Sequence, residues 1–158
     1  MLVVGYLFAA CGTMEYVPGS IPPAAADLRI MTSNIAHGRG LAVDQRLLAP
    51  WCFRKNLKKI AGMLDDSGAD VIALQEVDSA ASWSGGFDHL AFLQEHTDYS
   101  TRLMGANNIN GGWYRLNYGN GFLSRMPIRE HTTHPFGTAA IGEKGFLYAE
   151  FELPGGGT

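Results

Sequence analysis

The stretch "ADVIALQEVD", residues 69–78, decides the fold. Val71, Ile72, Ala73 and Leu74 form a continuous apolar run of strand length, the pattern of a strand covered on both faces. The run ends in Gln75 and Glu76. An unpaired carboxylate is too costly to bury, so Glu76 is expected where the strand leaves the core.

Upstream, Phe53, Leu57, Ile60, Ala61 and Leu64 recur at helical spacing between Pro50 and Asp66, with Arg54, Lys55, Lys58 and Lys59 on the other face. Pro50 suits a first helical turn and Gly68 a stop. The cationic side reads as a solvated face. "LRIMTSN", residues 28–34, reads as a strand before the glycine-bearing loop "IAHGRG". Strand, helix and strand within about fifty residues make a βαβ unit, whose strands run parallel with a right-handed crossover. Both strands then end on one sheet edge, which brings Asn34 to Glu76 where open α/β sheets bind ligands.

Downstream, "GFDHLAFLQEHT" carries Phe87, Leu90 and Ala91 at helical spacing, and "YSTRLM" is a short strand. "GANNINGGWYRLNYGNG" reads as a long loop of the kind that carries sites. "GFLSRMPI" predicts a strand ending at Pro127, and "REHTTHPF" an exposed one. "GFLYAEFEL" alternates, with Leu147, Ala149, Phe151 and Leu153 on one face. It runs into "PGGGT", a hairpin signal with no strand after it, so the last sheet edge is expected to be bare.

The 158 residues are 46% hydrophobic and 11% aromatic, enough for one domain with a core. A net charge of −3 gives no long-range pull on polyanions, so any phosphate contact requires a local cluster or a bound cation. Residues 1–11 form a signal-like segment. Its apolar run from Leu2 to Ala10 is too short to span a bilayer, and "FAAC" before Cys11 resembles a bacterial lipobox. A cleaved signal or a buried segment are the alternatives, since no Lys or Arg precedes the run. Residues 12–27, rich in Pro, Gly and Ala, suit a flexible tether, and the folded part is expected over 28–158. On this reading the protein is exported and membrane-anchored through a lipidated Cys11, periplasmic or on the cell surface. Cys52, the other cysteine, reads as a small buried hydrophobe.

Four segments in order, "RIMTSNIAHG", "ADVIALQEVD", "YGNGFLSRMPI" and "EKGFLYAEFEL", resemble the endonuclease/exonuclease/phosphatase family of metal-dependent hydrolases. The resemblance covers residues 28–153. It implies an α/β fold, part of a four-layer αββα sandwich of the deoxyribonuclease-I-like kind, with the C-terminal half absent. It implies Glu76 as the principal Mg²⁺-binding carboxylate and Asn34 as the asparagine that helps hold the metal or phosphate, with Mn²⁺ as the other candidate cation. The chemistry agrees, because Mg²⁺ takes oxygen ligands and is typically held by one or two carboxylates plus substrate phosphate. Asn120 matches a segment beside the active site. Arg125 matches the "SR-x-P" arginine, either neutralising substrate phosphate near the metal or pairing with a strand-end carboxylate as scaffold.

His37 lies in the loop after Asn34, as a substrate contact or an ordinary loop histidine. Asp88 and His89 resemble a pair that supports the fold or the site from behind. His131 and His134 read as solvent-facing. Lys144 stands where relatives carry Arg, which removes a bidentate fork. Trp83, Trp113 and Tyr114 are aromatic candidates for a base, a membrane or packing. The resemblance also implies a further histidine, an Asp-x-Asn segment and a C-terminal Asp-His pair, none of which has a counterpart in these residues.

The function expected is hydrolysis of a phosphate ester, whose alcohol is part of a nucleic acid, a lipid head group or a small molecule. The 158 residues would then be an inactive portion of a longer enzyme. The alternative is a noncatalytic exported lipoprotein or binding module on the same fold.

Overall fold

The computed structural model describes residues 27–108, 117–136 and 145–153. The signal-like segment with Cys11, the tether up to residue 26, Trp113, Tyr114, Lys144 and the final glycine-rich turn lie outside them.

Strand β1 (Ile30–Asn34) is joined through helix α1 (Pro50–Asp66) to strand β2 (Val71–Asp78). The two strands are parallel, with Ile30 opposite Val71 and Asn34 opposite Gln75. Helix α1 starts with Pro50 after an extended Ala49 and buries Phe53, Leu57, Ala61 and Leu64, the stripe that its period predicts. Arg54, Lys55, Lys58 and Lys59 face solvent.

Helix α2 (His89–Glu95) is capped by Asp88, whose Oδ1 accepts from the Ala91 N–H at 2.9 Å. Strands β3 (Thr101–Asn108) and β4 (Tyr118–Ser124) complete a sheet ordered β1-β2-β4-β3, with β4 antiparallel to both neighbours. Leu57 and Leu64 of α1, Leu90 and Leu93 of α2, and Ile72, Leu74 and Leu123 of the sheet form the core between the helices and one sheet face.

Strands β5 (Ile128–Pro135) and β6 (Gly145–Phe151) pair antiparallel as a second sheet. It packs on the other face of β3 and β4, where the Phe122 and Phe151 rings meet edge to face at 5.5 Å. Gly105 makes room for this approach, since a Cβ there would stand 3.0 Å from Leu147. The described residues therefore build helix, sheet and sheet, three of the four layers of an αββα sandwich.

Several details differ from the expectation: β3 runs on through Asn108, into the stretch read as loop, and β4 ends at Ser124, short of Pro127. Strand β2 continues through Asp78, beyond the end of its apolar run, because Val77 and Asp78 pair with Gly119 and Tyr118 across a bulge. For the same reason β4 begins at Tyr118, within the stretch read as loop. Cys52 is only partly buried. It lies between exposed Trp51 and buried Phe53, and the turn of the helix leaves it at the boundary of the apolar stripe. His131 and His134 are exposed on β5. Among the described residues no helix is long and apolar enough to cross a membrane.

Candidate active site

The ladder between β2 and β4 slips between Leu74 and Val77. Strict alternation would turn Glu76 to the helix-covered face with Leu74. The bulge instead puts Glu76 at φ 54° and swings its side chain outward, leaving it 42% exposed. This is how a carboxylate follows a buried run without entering the core. A side chain at positive φ carries backbone strain on the order of 1–3 kcal/mol, and such strain clusters where surrounding structure over-determines a functional geometry.

Beside it, β1 ends in Asn34, whose Oδ1 accepts from the Ala36 N–H at 2.8 Å and starts a tight turn. The Ile35 N–H donates to the Gln75 carbonyl at 3.1 Å, tying the turn to β2. Ala36 and His37 follow at φ 46° and 56°. The His37 imidazole points back to β2, with Nδ1 2.8 Å from Asp78 Oδ1 and Nε2 3.6 Å from Glu76 Oε2. Trp83 and Tyr118 stand edge-on to it at 5.2 Å and 5.5 Å.

These groups line a cleft of about 450 Å³ that also takes in Gln75, Asn120 and Phe136. Asn120 reaches the wall between the sheets, where its Nδ2 donates to the Gly145 carbonyl at 3.1 Å. Of the residues singled out in the sequence, Asn34, His37, Glu76 and Asn120 thus meet in one cleft.

Arg125 does not join them, which corrects its placement beside the substrate. The register sets Val71 opposite Ser124 and Asp78 opposite Tyr118, so Arg125 lies at the other edge of the sheet. At about 3.3 Å per residue that is roughly 20 Å from Glu76. Its backbone N–H donates to the Asp70 carbonyl at 2.9 Å, and its guanidinium sits 5.1 Å from the centroid of the Tyr99 ring. The contact is with an aromatic ring, not with the strand-end carboxylate of the scaffold alternative. Tyr99 is itself fixed by its hydroxyl, which donates to the carbonyls of Leu64 and Ala69 at 3.2 Å and 2.9 Å.

Asp78, Trp83 and Tyr118 are the residues that reading the sequence missed or left undecided. The available signal for Asp78 was its place after Val77, a polar residue in a segment otherwise buried. Behind the cleft His89 is wholly buried, with Nε2 3.0 Å from the Ser84 carbonyl. Burial holds its imidazole below the ordinary value of 6.5, against the opposing pull of Ser84 and of the Asp78 and Asp88 carboxylates. The folded state therefore refuses a proton that the unfolded chain takes up below about 6.5. This contribution to stability is present above that pH and is lost as the pH falls. Urea unfolding between pH 7.5 and 5.5 is expected to show declining stability, with a shallower decline in His89→Leu; equal slopes would count against a buried neutral His89.

Residues 31–156 match the model of the Endonuclease/Exonuclease/phosphatase family. The chain belongs to this family. A solved endonuclease/exonuclease/phosphatase family protein from Leptotrichia buccalis C-1013-b is similar at TM-score 0.54 and 22% identity, over 82% of this chain and 51% of that one. The endonuclease/exonuclease/phosphatase from Beutenbergia cavernae DSM 12333 is similar at TM-score 0.56 and 19% identity, over 82% of this chain and 36% of that one. At these identities the likeness shows the fold, and the chain spans about half or less of these structures. No curated protein matches the sequence.

Proposed function

We propose that the cleft is the cation-binding side of a metal-dependent phosphoester hydrolase. The observation that carries this reading is the bulge at Glu76, which spends backbone strain to hold a carboxylate outward beside Asn34. Among the described residues no three His, Cys, Asp or Glu side chains converge on a point, so a closed cage such as structural zinc requires is not the match. One carboxylate and one amide oxygen suit Mg²⁺ or Mn²⁺, which take oxygen ligands and retain waters or bind substrate phosphate. Asn34 Oδ1 already accepts from Ala36, and its second lone pair remains for a cation.

Glu76 and Asn34 would hold the cation, and its charge would polarise the phosphoryl group and stabilise the leaving oxygen. Asn120 orients the ester from the opposite wall, and His37 offers Nε2 to the substrate side. The substrate is a phosphodiester or phosphomonoester carried on a nucleic acid, a lipid head group or a small molecule. Lipidation at Cys11 would keep the enzyme exported and at a membrane surface.

The test is hydrolysis of bis(p-nitrophenyl) phosphate and p-nitrophenyl phosphate by the natural protein. Turnover is expected to vanish with EDTA and to return with Mg²⁺ or Mn²⁺. Turnover indifferent to chelation would overturn the metal-dependent reading.

A further inference from the structure

We infer that Asp78 is a positioning residue of the cleft: its buried carboxylate holds His37 with the proton on Nδ1, leaving Nε2 as a bare acceptor turned toward Glu76. The inference rests on the hydrolase reading above for its kinetic arm, while its structural arm does not.

Asp78 has no exposed surface, although its side chain is a carboxyl and it belongs to a strand. Its Oδ1 lies 2.8 Å from His37 Nδ1, the spacing of a strong hydrogen bond. An ionised carboxylate only accepts, so the shared proton belongs to the imidazole nitrogen that faces it. In a neutral imidazole the other nitrogen is then an acceptor. Trp83 and Tyr118 stand edge-on to the imidazole and pack against it on the cleft side. The turn below is fixed as well, since α1 reaches it through Asn56 Nδ2, which donates to the Gly38 carbonyl at 3.1 Å.

The consequence concerns the gap between His37 Nε2 and Glu76 Oε2, 3.6 Å across. Two acceptors face each other there, and a group with two donor hydrogens beside them satisfies both. Water, the reactant of ester hydrolysis, is such a group, whereas an alcohol has one O–H and satisfies only one of them.

The experiment is ¹⁵N spectroscopy of histidine-labelled natural protein, with His37 assigned by its loss in His37→Gln. The expected result is a protonated Nδ1 and a bare Nε2. In Asp78→Ala the two nitrogens should move together toward tautomer-averaged positions. The same variant should lower kcat by about 10- to 100-fold with KM little changed, the usual scale for losing a residue that orients a ligand-contacting side chain. A protonated Nε2 in the unaltered protein overturns the inference, and this reading stands even if Asp78→Ala does not fold. Unmoved resonances in a folded Asp78→Ala also overturn it, as does an unchanged kcat once the tautomer has changed. The expected tautomer in a protein without hydrolytic activity would leave the His37 geometry in place and overturn the hydrolase reading alone.

Discussion

Glu76→Ala is expected to lower cation-dependent hydrolysis by on the order of a thousand-fold or more while leaving the fold within about 0.5 kcal/mol of its starting stability. The activity loss follows from removing the only carboxylate among the described residues that the β2 bulge turns into the cleft. A metal contributes several kcal/mol to the transition state, and each 1.36 kcal/mol is a factor of ten in rate. The small stability change follows from position: the side chain is 42% exposed, and the nearest His37 nitrogen, Nε2, is 3.6 Å away. Alanine at φ 54° is no more strained than glutamate, whereas Glu76→Gly would relieve the strain and should be the more stable of the two. Kinetics alongside urea unfolding separate these effects. Retention of full activity by either variant would remove Glu76 from the metal site, and a collapse of stability in Glu76→Ala would make it a structural residue.

The place of Glu76 at the end of the buried run was legible in the sequence because it depends on local order. An apolar run that stops at a carboxylate, after a helix with a clean 3.6-residue period, specifies a βαβ unit and the edge at which it ends. The bounds of α1 at Pro50 and Asp66 are those its stripe implies. What was hidden depends on pairing between distant segments. Nothing within "GFLSRMPI" states that β4 runs antiparallel to β2, yet that direction alone carries Arg125 to the far edge. The bulge is equally silent, since alternation gives no sign that one residue of "LQEV" will drop out of register. Tyr118 reaches His37 from the start of β4 and Trp83 from the short helical turn after β2, and Asp78 becomes a partner of His37 only once the turn after β1 folds back across β2. The surface roles of His131 and His134 were readable because a polar strand with no apolar face has little reason to be covered.

Leu57→Ala is expected to cost about 2–5 kcal/mol, the range for removing a fully buried leucine whose surroundings close only partly. Leu57 has no exposed surface and belongs to the cluster that joins α1 to the sheet. It also supports the site, because a Cβ on Gly38 would stand 3.2 Å from Leu57 Cγ, so the turn bearing His37 rests directly on this side chain. Neighbouring Asn56 holds the same turn by its bond to the Gly38 carbonyl, which leaves the variant one of two supports. Lys58→Ala, one residue on and exposed, should stay within about 0.5 kcal/mol and controls for helix propensity. Urea unfolding of the pair reads the difference. A cost below about 1 kcal/mol for Leu57→Ala would mean that the stripe on α1 is not the seam of the core. A large cost accompanied by broadened His37 resonances would connect core packing to the cleft, because the turn can hold its strained φ values only while the leucine beneath it stays in place.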